Sequence, residues 1–84
     1  MSVTDRYSWG LREIMAELGV SQNQLSHASR VRPATLRAFV NGDVQRINLE
    51  QLTDLLDALN RLAAAQSFRK RYNVEDLLYY NREE

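Results

Sequence analysis

Apolar positions recur along this chain at helical spacing, and the breaks between them are sharp. Trp9, Leu11, Ile14, Met15 and Leu18 fall on one face of a helix. Ser8 is placed to cap its start and Gly19 to end it. Ser21-Gln22-Asn23-Gln24 then reads as a capping box: the serine oxygen accepts from a backbone N–H while Gln24 reaches back. Leu25 and Ala28 give this second helix a short apolar face, and it must stop before Pro33. Pro33 suits the first turn of a third helix, where its missing N–H costs nothing. Leu36, Phe39 and Val40 form that helix's stripe. Asn41-Gly42 ends it, because glycine takes positive φ cheaply. A polar loop from Asp43 to Arg46 follows.

Asn48 caps a fourth helix with Glu50 and Gln51 in its first turn. Leu49, Leu52, Leu55, Leu56, Leu59 and Leu62 make its apolar stripe. Ala63-Ala64-Ala65 favours continuation to about Lys70, which puts Arg69, Lys70 and Arg71 at the negative end of the helix. Asn73 caps a short last helix carrying Val74, Leu77 and Leu78, and the tail from Asn81 to Glu84 is expected to fray. No strand, repeat or low-complexity linker is predicted. With 84 residues the chain has room for one domain spanning 1–84. The expected fold is all-α: a compact five-helix bundle containing a helix-turn-helix core at 21–42. The segment 61–72 either lengthens the fourth helix or adds an extra one.

Composition narrows the chemistry. The chain has no cysteine, which excludes disulfides and thiolate zinc sites, and a single histidine, His27, which reads as solvated. No cofactor, metal or small-molecule ligand is predicted. No apolar run is long enough to span a membrane, and Met1 to Asp5 lacks the parts of a signal peptide, so the expectation is a cytoplasmic protein with no membrane partner. Glu13 and Glu17 lie one helical turn apart, but paired carboxylates without a pocket do not make an enzyme. Trp9 and Tyr7 read as core packing or as a staple on the first helix. Of Tyr79 and Tyr80, one is expected in the core and the other at a dimer interface.

The net charge is zero, which at first argues against a polyanionic partner. The distribution changes that. No acidic residue lies between Glu17 and Asp43, while Arg30, Arg32 and Arg37 all do. With Leu36, Phe39 and Val40 turned inward, the third helix presents Arg32, Ala34, Arg37, Ala38 and Asn41 outward or sideways. Arginine can donate to two acceptors on a guanine edge. Small residues let a helix approach closely and touch a thymine methyl. Chance clustering of arginines on an ordinary surface helix accounts for the same pattern.

From Leu11 to Tyr80 the chain also resembles the Xre family, the phage repressor and Cro type of helix-turn-helix protein. The residues that carry this are 11–17 (Leu-Arg-Glu-Ile-Met-Ala-Glu), Gly19-Val20-Ser21-Gln22, Gln24-Leu25-Ser26 and 31–36 (Val-Arg-Pro-Ala-Thr-Leu). They continue with Asn41-Gly42, Arg46-Ile47-Asn48-Leu49 with Leu52, Leu59-Asn60, and 74–80 (Val-Glu-Asp-Leu-Leu-Tyr-Tyr). The resemblance implies that Leu25, Val31, Leu36 and Phe39 are buried, and that Ser26 is small because two helices cross there. It implies that Arg32, Pro33, Ala34, Arg37 and Ala38 face the major groove. Gln22, Thr35, Asn41, Gln45 and Arg46 match positions at the DNA backbone. The chain departs from the family pattern in two places. Arg30 stands in the turn where glycine is common, and a positive φ there costs roughly 1 kcal/mol. Arg61 to Tyr72 intervenes where close relatives join the last two helices by only a few residues.

These readings combine into sequence-specific binding of double-stranded DNA by a repressor-like transcriptional regulator. It would act as a homodimer on a palindrome with half-sites about 34 Å apart. Two alternatives share the fold. One is a protein-interaction module that does not bind DNA, and the other is an antitoxin that binds a toxin and its own operator.

Overall fold

Five helices and one short β-ribbon make up residues 6–81, the part of the chain that the computed structural model describes. In order they are β1 (Tyr7–Trp9), α1 (Leu11–Leu18), α2 (Gln22–Ser29), α3 (Pro33–Asn41), α4 (Leu49–Ala65), α5 (Val74–Leu77) and β2 (Leu78–Tyr80). The helices stand where the apolar spacing puts them. Leu11, Ile14, Met15 and Leu18 of α1 are buried, as are Leu25 of α2, Leu36 and Phe39 of α3, and Leu52, Leu55 and Leu59 of α4. Leu49 belongs to the same stripe by spacing, yet it opens α4 and is 73% exposed.

The helix ends follow local chemistry. Ser21 Oγ accepts from Gln24 N (3.1 Å) while Ser21 N donates to Gln24 Oε1 (2.8 Å), so two otherwise orphaned N–H groups are satisfied together. Asn48 Oδ1 accepts from Gln51 N (3.2 Å) at the start of α4. The start of α1 differs from the expectation. Gly10 occupies the cap position without a side-chain bond, and Ser8 lies in β1, where its hydroxyl donates to Asn81 Oδ1 (3.0 Å).

The fourth helix is long, at 17 residues, but ends at Ala65 rather than near Lys70. Ser67 takes a left-handed conformation (φ 61°). Its N–H donates to Ala64 O (3.0 Å) and that of Phe68 to Ala63 O (2.9 Å). These two bonds cap the helix in the Schellman pattern, normally built on glycine. Gln66 Nε2 meanwhile donates to Leu18 O (2.7 Å), tying the end of α4 to the end of α1. Arg69, Lys70 and Arg71 therefore sit on a loop and do not neutralise a helix end.

Tyr72 anchors that loop and is only 3% exposed. The Asn60 side chain grips its backbone from both sides, donating to Tyr72 O (3.1 Å) and accepting from Tyr72 N (2.7 Å). The phenol donates to Glu17 Oε1 (2.6 Å), and Lys70 pairs with the same carboxylate at 3.3 Å. Burial, reinforced by the Glu17 bond, pushes the Tyr72 phenol up to about 12. The bonds from Tyr72 and Lys70 hold the Glu17 carboxyl below its ordinary range.

The β-ribbon was not expected. β1 and β2 pair antiparallel, with Tyr7 opposite Tyr80, Ser8 opposite Tyr79 and Trp9 opposite Leu78. Gly10 N extends the ladder to Leu77 O (3.0 Å), and Asn81 N to Arg6 O (2.8 Å). Aromatic residues suit a pleated surface, and the Tyr7 and Tyr80 rings pack across the strands with centroids 5.5 Å apart. Leu78 thus leaves the last helix for a strand. Tyr79 and Tyr80 are exposed (63% and 50%), so neither completes the core; Tyr72 is the buried tyrosine. Of the tail expected to fray, Asn81 is bonded into the ribbon, and 82–84 lie outside the described residues.

Candidate nucleic-acid interface

α2 and α3 cross at a three-residue turn, and side chains of α2 fix it. Ser26 Oγ donates to Val31 O (2.6 Å). Ser29 Oγ accepts from Val31 N (3.2 Å) and donates to Leu25 O (2.7 Å). Both backbone groups of Val31 are thereby satisfied by serines while its side chain fills the core. Arg30, between them, does take positive φ (61°), and its N–H closes α2 on Ser26 O (2.9 Å). The small side chain expected at Ser26 for close crossing is also a hydrogen-bond donor. Ser29, fully buried, escaped the sequence reading, although a serine eight residues after the cap serine carries no distinctive signal.

From that turn α3 projects one face inward and one outward. Leu36 and Phe39 are buried, while Arg32, Pro33, Ala34, Arg37 and Asn41 are exposed. Residues 33, 37 and 41 are each one turn apart, so the outward groups form a stripe along the helix. Thr35 and Ala38 are half-buried at its sides. Gln22 is half-buried as the first residue of α2, and Gln45 and Arg46 are exposed in the loop before α4.

The far end of α3 is held firmly. Gly42 takes left-handed φ (73°), and the Trp9 ring lies so close that a Cβ there would stand 2.7 Å from Trp9 Cδ1. The same ring meets Phe39 edge-on, with centroids 6.4 Å apart. Arg12 Nη2 donates to Asn41 Oδ1 (3.2 Å) across from α1. The β-ribbon, through Trp9, therefore braces the end of the helix that carries the exposed arginines.

Arg30, Arg32, Arg37 and Arg46 make no ion pair with any described residue. Their charges are open to an anionic partner, and each guanidinium offers a planar fork of donors. Among the described residues no group of acidic side chains and histidine is placed to hold a metal ion, and no helix is long and apolar enough to cross a membrane.

The family model of Cro/C1-type HTH DNA-binding domains matches residues 10–61. The chain belongs to this family. No curated protein and no solved structure matches it significantly. As a Cro/C1-type domain it is a DNA-binding module of helix-turn-helix architecture, with double-stranded DNA as its partner. The family match takes in both serines that hold the turn, the whole of α3, and all ten positions expected at DNA. It stops within α4, so the 66–73 loop, α5 and β2 lie outside the matched stretch, as does β1 before it.

Proposed function

We propose that this domain regulates transcription by binding a specific double-stranded DNA sequence with α3 in the major groove. The observation that carries this is the outward stripe of α3, which presents Arg32 and Arg37, ion-paired to no described residue, with Ala34 between them. Arg32 and Arg37 would donate to base edges, while Ala34 and the exposed part of Ala38 would touch thymine methyls. Gln22, Thr35, Asn41, Gln45 and Arg46 would anchor phosphates, which fixes register without reading sequence. One module of this size makes a small interface, so a homodimer on a two-fold site supplies the affinity that a single stripe lacks.

Selection from a random duplex library tests binding, sequence and symmetry together. The expected product is a two-fold motif. Binding to random duplex should weaken steeply with salt, because neutralised phosphates release counterions. Arg37→Ala should relax preference at one base pair of each half-site and cost roughly 1–3 kcal/mol. An unchanged selected motif would remove Arg37 from the reading face. Absent or salt-independent binding would refute the DNA reading altogether.

A further inference from the structure

Arg12 is charged at an unfavourable place. It is the second residue of α1, whose N-terminus already carries the positive end of the helix dipole and unsatisfied N–H groups. No described carboxylate lies within ion-pairing distance to compensate it. Its polar contact is instead a neutral one, Nη2 to Asn41 Oδ1 at 3.2 Å. Both side chains are exposed, so this hydrogen bond is not rescuing buried groups. A cation in the first turn of a helix runs against the dipole, and although Glu13 follows it in that turn, Arg12 is ion-paired to no described carboxylate. Such departures concentrate where a ligand supplies what the chain does not.

The position indicates which ligand. Asn41 stands one turn beyond Arg37 on the exposed stripe of α3, so Arg12 sits at the far end of that stripe. The Asn41 oxygen is taken by Arg12, which leaves its amide N–H groups to donate. The guanidinium uses one of its roughly five N–H donors on Asn41 and keeps the others. The pair therefore offers only donors and one full charge to whatever approaches. Gly42, next in the chain, is pinned under Trp9, so the pair rests on a braced backbone.

We propose that Arg12 and Asn41 together form a binding site for one phosphate of the DNA backbone, at the C-terminal end of α3. Arg12 contacts the phosphate and also positions Asn41, because holding the amide oxygen turns the amide nitrogen outward. The bound phosphate supplies the ion-pair partner that Arg12 lacks among the described residues. This proposal rests on α3 lying in the groove as described above.

Equilibrium binding to the selected duplex and to random duplex, between 50 and 200 mM salt, tests it with the intact protein. Arg12→Ala is expected to weaken binding to both duplexes by a similar factor, about tenfold. It should also lower the steepness of log affinity against log salt by about 0.9, the contribution of one phosphate. Arg12→Lys should restore the slope but only part of the affinity, since a point charge lacks the fork to hold Asn41 and a phosphate at once. Asn41→Ala should cost less in the Arg12→Ala background than alone. Should Arg12→Ala melt below the assay temperature, Arg12→Gln removes the charge while keeping a donor for Asn41, and its slope decides. A wild-type slope in the charge-free variants overturns the phosphate site while leaving α3 as the reader. A protein that binds no duplex overturns both. Arg37→Ala, run alongside, separates them further: it should lose affinity for the selected duplex and little for the random one.

Discussion

Gly42 is constrained twice, and the two constraints can be measured apart. Its φ of 73° lies in the left-handed region, where an L side chain costs about 1–2 kcal/mol. Replacing glycine also stiffens the unfolded chain, returning about 0.4–1 kcal/mol. Gly19 has nearly the same backbone (φ 68°) with nothing within 4 Å of a Cβ. Gly19→Ala should therefore cost only the difference, on the order of 1 kcal/mol. At Gly42 the added carbon meets Trp9 Cδ1 at 2.7 Å and two further ring atoms at 3.1 Å. The ring has to lift from its seat against Phe39, an overpacking cost of about 1–2 kcal/mol more. Thermal unfolding followed by far-UV circular dichroism reads both. At about 4–8 °C per kcal/mol for a domain of this size, Gly42→Ala should melt roughly 5–15 °C below Gly19→Ala. In a Trp9→Ala background the extra loss at Gly42 should vanish. Equal losses at the two glycines, or no rescue by Trp9→Ala, would refute the argument that the ribbon seals the end of α3.

Two further outcomes follow from the anchored loop and from the first cap of the helix-turn-helix. The Tyr72 phenol, raised from 10.0 to about 12, stabilises the fold fully below pH 10 and loses that contribution as pH rises toward 12. The lowered Glu17 carboxyl contributes above the ordinary carboxylate range and loses its contribution as pH falls through its folded value. Urea midpoints of Tyr72→Phe should lose the decline between pH 10 and 12 and flatten on the acid side; an unaltered alkaline decline would show that another group is responsible. Ser21→Ala should cost about 0.5–2 kcal/mol in urea unfolding, because it opens the capping box of α2. A loss in the folded protein below a few tenths would mean that Gln24 alone satisfies that terminus.

The sequence made some features plain because their causes are local. The box Ser21-x-x-Gln24, Pro33 at the start of α3, and glycine at the left-handed ends of α1 and α3 each announce a helix boundary within four residues. The outward stripe of α3 followed from the same spacing that buried Leu36 and Phe39. Where the cause was distant, local reading failed. Strands of three residues are too short to show alternation, and the side chains of Ser8 and Asn81 that meet at the ribbon are 73 positions apart. The end of α4 was hidden because Ser67 takes a role that glycine usually signals. The loop after it looked like more helix because the three alanines just before it, at 63–65, favour helix, while the bonds that bend it away come from Asn60, Glu17 and Leu18. Arg12 gave one faint sign, a basic residue in the first turn of a helix, but its meeting with Asn41 depends on how α1 lies against α3.

The ribbon also sets an order in time. A ribosome delivers the stretch that matches the Cro/C1-type model, through residue 61, well before it delivers β2. Until Leu78–Tyr80 have been added, β1 has no strand to pair with, and Trp9 lacks the partner that lays it over Gly42. A nascent chain therefore holds α3 with one end unbraced. The step that seals it comes only after all of α3 and α4 have been made, so a chain cut short before Leu78 would carry every candidate DNA contact and still lack the clamp that braces them.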